Sequence, residues 1–249
     1  MNSARPITPN RLPSLDYARG FFVVLMMVFH FCFVLADYGY LGFDFYRDPF
    51  WLHSRTFIVS GFLTIVGLSL VLATQQGLNR KSYLKRLTLL ILYAALVSIS
   101  TYIQVGDRWV FFGILHFIAV ASVLGLVVVH STLFSLVGGL FIIGAGLAFS
   151  FPFFDHPWLN WIGMMTHKPS TNDYVPLFPW LGVVFVGIGL GRILFIGPFK
   201  HLSVPLQWQT SSWPGKILSI LGRQAIHVYI IHVPLFIALI ELYRWLFYS

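Results

Sequence analysis

The sequence predicts an all-α bundle of seven transmembrane helices, with the N-terminus cytoplasmic and the C-terminus extracytoplasmic. Three observations carry this. Of 249 residues, 57% are hydrophobic and 10% charged, where soluble domains hold about 25% charged residues. Runs free of Asp, Glu, Lys and Arg reach the ~20 residues that cross a hydrocarbon core. Basic residues gather on one side of the resulting topology. This composition excludes a soluble enzyme, and an aromatic content of 18% excludes a disordered chain. The whole chain, 1–249, reads as one transmembrane domain.

The first run, 20–36, has the positive flank of a signal peptide but no small-residue cleavage site, so it reads as an uncleaved helix. Runs 56–79 and 87–106 follow. The fourth, 109–154, holds 46 residues, which is about 69 Å as one helix. It divides into two, with His130-Ser131-Thr132 as the hinge. Runs 174–191 and 224–240 complete the seven. A closed barrel would instead show alternating strands of about ten residues. Of sixteen basic residues, eleven fall on the side of the N-terminus, whereas seven of eight acidic residues fall opposite. The net charge of +8 therefore reads as an inner-leaflet effect and not as nucleic-acid binding. The single cysteine, Cys32, reads as a buried structural thiol.

Polar groups inside such spans are the candidates for function. On a helical wheel starting at Asp16, Arg19, His30 and Asp37 fall within a sector of about 60° and span about 31 Å of rise. That stripe faces the bundle interior or a wet cavity. The plainer alternative is an interfacial Asp16–Arg19 ion pair, with His30 bonding a neighbouring helix. Thr56, Ser60, Thr64 and Gly67 share one face of the second helix, a spacing that suits close helix packing. Arg55, at the outer mouth, has two readings: an interfacial anchor, or a residue holding a substrate anion. His116 and His232 lie on further helices and join His30 as candidate bases. The spacings of metal-binding histidines, of a nucleophile elbow and of a phosphate loop are all missing, and no metal is expected.

The segment Arg11-Leu-Pro-Ser-Leu-Asp16-Tyr-Ala-Arg19-Gly20, with His30 eleven residues past the arginine, resembles the opening of the heparan-alpha-glucosaminide N-acetyltransferase-like membrane family. It is similar also to integral-membrane O-acyltransferases of bacterial surface glycans. Segments 57–70, 111–116 (Phe-Phe-Gly-Ile-Leu-His) and 173–180 (Asp-Tyr-Val-Pro-Leu-Phe-Pro-Trp) resemble the bacterial branch of the first family. The segment 221–234, Leu-Gly-Arg-Gln-Ala-Ile-His-Val-Tyr-Ile-Ile-His-Val-Pro, resembles the terminal helix of both. The departure is in the loop after the first helix. There the family's animal enzyme carries its histidine, and this sequence has Tyr46.

The resemblance implies transfer of an acyl group, acetyl in the family, from cytoplasmic acyl-CoA to a sugar-like acceptor at the opposite face. The setting it implies is a bacterial inner membrane; membrane lipids are a further expected partner, and a homo-oligomer is left open. The catalytic candidates are His30, Asp37, His116 and His232; neutral imidazole suits a general base near pH 7. Asp16, Arg19, Lys85, Arg86 and Arg223 are the candidates for acetyl-CoA, and Arg55 and Asp173 for the acceptor. The alternative is a proton-coupled transporter without acyl chemistry, since a polar stripe through a bundle suits that as well.

Overall fold

A computed structural model describes residues 12–197, 210 and 212–248. Their regular structure is helical: α1 Pro13–Asp37, α2 Pro49–Thr74, α3 Arg80–Val105, α4 Ile114–Val128, α5 Thr132–Ala148, α6 Leu177–Phe195, α7 Trp213–Arg223 and α8 Ala225–Tyr248. Five of these, α1, α2, α3, α6 and α8, are long and apolar enough to cross a membrane, while α4 and α5 are shorter apolar helices of 15 and 17 residues. Large apolar side chains face outward on them; Ile103 is 77% and Phe141 72% exposed. Surface of that kind needs a lipid solvent, and the protein is an integral membrane protein.

Each predicted apolar run overlaps a helix, the fourth run two, and the hinge lies where the polar triplet placed it. Helix α4 ends at Val128, and the Ser131 hydroxyl accepts the amide of Phe134 (3.3 Å) to cap α5. Two features differ from the sequence reading. Residues 109–113 are not helical, because the 171–175 strand of loop takes their carbonyls: Thr171 Oγ1 donates to Trp109 O (2.7 Å) and the Val175 amide to Phe112 O (3.2 Å). Helix α7 was not anticipated. Ser212 caps it by accepting the Gly215 amide (3.3 Å), and Pro214 occupies its first turn.

Contacts group the helices into two compact units. The first holds α1, α2 up to Phe62, α7 and α8. Here Gly20 lies against the Leu218 carbonyl and Gly222 against the Asp16 carbonyl, so α1 and α7 meet backbone to backbone. The loop after α1 folds back through Phe45, which stacks on Trp51 at 4.1 Å and meets Phe29 edge-on at 5.2 Å. The second unit holds α2 from Leu63 with α3–α6. A Cβ at Gly139 would stand 2.8 Å from the Gly182 carbonyl, which is why α5 and α6 approach so closely. Thr64 and Gly67 pack on α6 through Gly187 and Val184, the packing role expected of that face.

Two predictions follow from this architecture. Single cysteines at Ser82 and His167, in a Cys32→Ser background, should react with an impermeant thiol reagent from opposite faces of a sealed vesicle; reaction from one face for both would reject the expected orientation. Gly222→Val should lower the unfolding free energy by about 1–3 kcal/mol in detergent, read as a loss of thermal stability, because its side chain would meet the Asp16 backbone.

Candidate functional site

Helix α1 places its polar stripe against α7 and α8. At one end, Asp16 lies in the first turn, where a carboxylate suits the helix dipole. Arg19 Nη1 donates to Asp16 Oδ1 (3.1 Å) and to the Gly222 carbonyl (3.3 Å). That carbonyl belongs to the last turn of α7, whose oxygens lack helical partners. The guanidinium therefore ties α7 to α1.

Eleven residues on, His30 and His232 meet with ring centroids 4.9 Å apart at 68°. His30 Nδ1 lies 3.0 Å from the Met26 carbonyl, and His232 Nδ1 lies 2.7 Å from the Tyr229 carbonyl and 3.2 Å from that of Val228. A carbonyl only accepts, so both rings carry their proton on Nδ1. In a neutral imidazole Nε2 is then the bare lone pair. His232 is 3% exposed, and its Nε2 is buried with no hydrogen-bond partner among the described residues. Such a group is uncommon in a folded interior.

At the C-terminal end of α1, Asp37 lines a cavity of about 670 Å3 with Tyr38, Gly39, Tyr40 and Arg244. Arg244 pairs with Glu241 at 3.3 Å and lies 5.8 Å over the Tyr38 ring. Partial burial, with the Glu241 carboxylate, pushes the Tyr38 phenol up from its ordinary pKa. A second cavity of about 260 Å3, lined by Phe33, Asp44 and Tyr46 among others, also reaches Asp37.

His116 and Asp173 belong to the other unit. Gly113 caps α4, and its amide donates to His116 Nδ1 at 3.3 Å. That nitrogen is an acceptor, so Nε2 carries the proton and donates it to Ser98 Oγ at 3.1 Å. Ser98 in turn donates to the Val110 carbonyl at 2.6 Å. Both ring nitrogens of His116 are thus engaged, and Ser98 points its proton away from the ring, the reverse of an activated nucleophile. Asp173 Oδ2 accepts the Ile114 amide (2.9 Å) at the start of α4. Its carboxylate fills the space a Cβ at Gly113 would need. The loop beyond α5 is clasped by Asp155, which accepts from the Thr166 amide (2.8 Å) and hydroxyl (2.6 Å). These bonds hold the Asp155 carboxyl below its usual pKa range.

Of the residues singled out by sequence, the structure brings together Asp16 with Arg19, His30 with His232, and His116 with Asp173 across Gly113. Arg223 is exposed, and its Nε donates to the Ser219 carbonyl of its own helix (3.2 Å). Arg55 is half-buried on α2. Lys85 and Arg86 lie on α3, and Arg86 lines a cavity there. Sequence reasoning missed Tyr38, Tyr40 and Ser98. It counted Arg244 only as a topological charge. Tyr38 and Arg244 meet each other, and Ser98 meets His116, across different segments, which no single-helix pattern displays.

The model of the heparan-alpha-glucosaminide N-acetyltransferase catalytic domain matches residues 11–234. The chain belongs to this family. Comparison with curated proteins and with solved structures found no match. The segments that resemble the N-acetyltransferase family meet in pairs. The opening segment touches the closing one through Arg19–Gly222 and His30–His232. Segment 111–116 touches segment 173–180 through Ile114–Asp173 and Phe112–Val175. Ser98→Ala should cost about 1–3 kcal/mol of stability, measured by thermal unfolding, since it strands the His116 Nε2 proton and the Val110 carbonyl.

Proposed function

We propose that this member of the N-acetyltransferase family moves an acetyl group from acetyl-CoA on the cytoplasmic side to a glycan hydroxyl or amine on the other, in a bacterial plasma membrane. The observation that carries the reading is the His30–His232 pair, whose Nδ1 protons are held by backbone carbonyls while Nε2 is left as a lone pair. Acyl transfer needs such a group. The acceptor gives its proton to Nε2 of His30 as its oxygen or nitrogen attacks the thioester carbonyl. The carbon–sulfur bond breaks, and coenzyme A leaves as a thiolate that takes up a proton. His232 is the second base of the pair and keeps the first oriented by ring contact.

The length of α1 supports the same reading. His30 stands about 16 Å along the helix from Arg19, comparable with the arm that carries the thioester. Arg19 and Arg223 supply cationic charge for the nucleotide phosphates, and Asp16 orients Arg19. The cavities around Asp37 supply the acceptor side, with carboxylate, phenol and guanidinium groups able to bond sugar hydroxyls. His116 and Asp173 hold the start of α4.

The test is incubation of purified protein with radiolabelled acetyl-CoA and candidate glycan acceptors. His30→Asn keeps hydrogen-bonding capacity without accepting a proton, and it should lower transfer by about 10²–10⁴-fold while acetyl-CoA still binds. Arg19→Ala should instead weaken acetyl-CoA binding by about 1.5–3 kcal/mol. Full activity in His30→Asn moves the base to His232. Absence of transfer by the wild type, with proton-linked uptake in vesicles, establishes the carrier alternative.

A further inference from the structure

A cavity in the unit of α2–α6 has no part in the transfer reading. Its volume is about 490 Å3, and it lies between the second half of α2, the turn at 78–79, the N-terminal half of α3 and Ser122 of α4. Leu70, Leu87 and Leu90 form an apolar wall, and Ser82 and Arg86 stand on its polar side. Between them is Tyr83, whose hydroxyl is shielded from solvent and has no hydrogen-bond partner among the described residues.

Basic residues gather beside this cavity. Arg80, Lys81, Lys85 and Arg86 occupy the first two turns of α3, and that helix contains no acidic residue. Cations at a helix N-terminus oppose the dipole, whose positive end lies there, and an anion among them relieves both repulsions. On its outer side α3 exposes Leu84, Ile91 and Leu92, a surface suited to lipid chains.

We propose that this cavity binds an anionic phospholipid. The phosphate pairs with Arg86 and Ser82, an acyl chain lies along Leu70, Leu87 and Leu90, and the Tyr83 hydroxyl donates to a headgroup or ester oxygen. The expected orientation of the chain puts this site in the cytoplasmic leaflet, where anionic lipids and basic clusters attract one another. A water molecule would satisfy Tyr83 and leave the apolar wall bare; a free phosphate would do the same. A diacyl lipid meets all three kinds of lining at once. Arg86 then serves lipid binding and not coenzyme A.

The experiment is native mass spectrometry of the full-length protein in detergent, titrated with phosphatidylglycerol or with phosphatidylcholine of the same acyl chains. The wild type should retain one phosphatidylglycerol in preference to phosphatidylcholine. Arg86→Ala should weaken that binding by about tenfold or more, and the near-isosteric Tyr83→Phe by about two- to tenfold. Lys81→Ala, outside the cavity lining, should change it little. Equal retention by wild type, Arg86→Ala and Tyr83→Phe overturns the proposal, as does equal retention of the two lipids. Added inorganic phosphate that displaces the lipid shows an anion site only. Displacement by acetyl-CoA, with loss of acetyl-CoA binding in Arg86→Ala, reassigns the cavity to the donor.

Discussion

A helix that carries Asp16, Arg19 and His30 on one face cannot turn that face to hydrocarbon, and the close approach of α7 gives it somewhere else to point. Gly20 and Gly222 make that approach possible, since a side chain at either position would meet the opposing backbone. The Arg19 bond to the Gly222 carbonyl depends on it directly. Helix α8 begins two residues after α7 ends, so placing α7 also places α8. His30 lies ten residues beyond Gly20, and His232 ten beyond Gly222. The chain turns from α7 into α8 just past that contact, and further along α1 the two histidines meet. Phe31 against Phe236 and Tyr38 against Arg244 continue the same parallel seam outward.

What was legible in the sequence follows from this arrangement. Hydrophobic runs fix which segments are helical, because a lipid solvent demands that backbone groups pair within the segment. The wheel position of His30 fixes which face of α1 is turned inward. Neither says what stands opposite. Gly222 and Arg19 are 203 positions apart, and their contact leaves no local trace. Helix α7 escaped because its apolar residues are diluted by Lys216 and Arg223; its signal was the Ser212-Trp213-Pro214 start. The extended 109–113 segment escaped for the opposite reason. It is as apolar as a helix, and hydrogen bonds from 171–175 decide its conformation. The equal spacing of glycine and histidine was present in both segments, yet it has meaning only once the two glycines are known to touch.

The histidines show how local chemistry separates residues that composition treats alike. His116 sits at the third position of a helix whose cap, Gly113, needs an acceptor for its amide. The ring meets that need, and its remaining proton goes to Ser98. His30 and His232 sit in mid-helix, where the ring nitrogen Nδ1 faces a carbonyl one turn back. That carbonyl holds the proton on Nδ1 and turns Nε2 away from the helix. Position within the helix thus selects the tautomer: His116 donates from Nε2 to Ser98, whereas His30 and His232 keep Nε2 as a lone pair.

An unpartnered lone pair is an expensive thing to keep in an interior where few polar groups are available. Replacing His232 by an apolar residue of similar size would remove that burden, and the packing of Tyr229 and Phe236 around the ring would accommodate it. A purely structural seam would have little reason to hold two imidazoles in contact with the His232 Nε2 left without a partner among the described residues. A seam that receives a proton has such a reason, because the same lone pair that is costly at rest becomes a hydrogen-bond acceptor when a hydroxyl or amine arrives. Local departures from full polar satisfaction concentrate at functional sites. Here the departure falls on the contact between the first and last segments of the family domain, which gives this contact a stronger claim to the chemistry than the fully bonded His116.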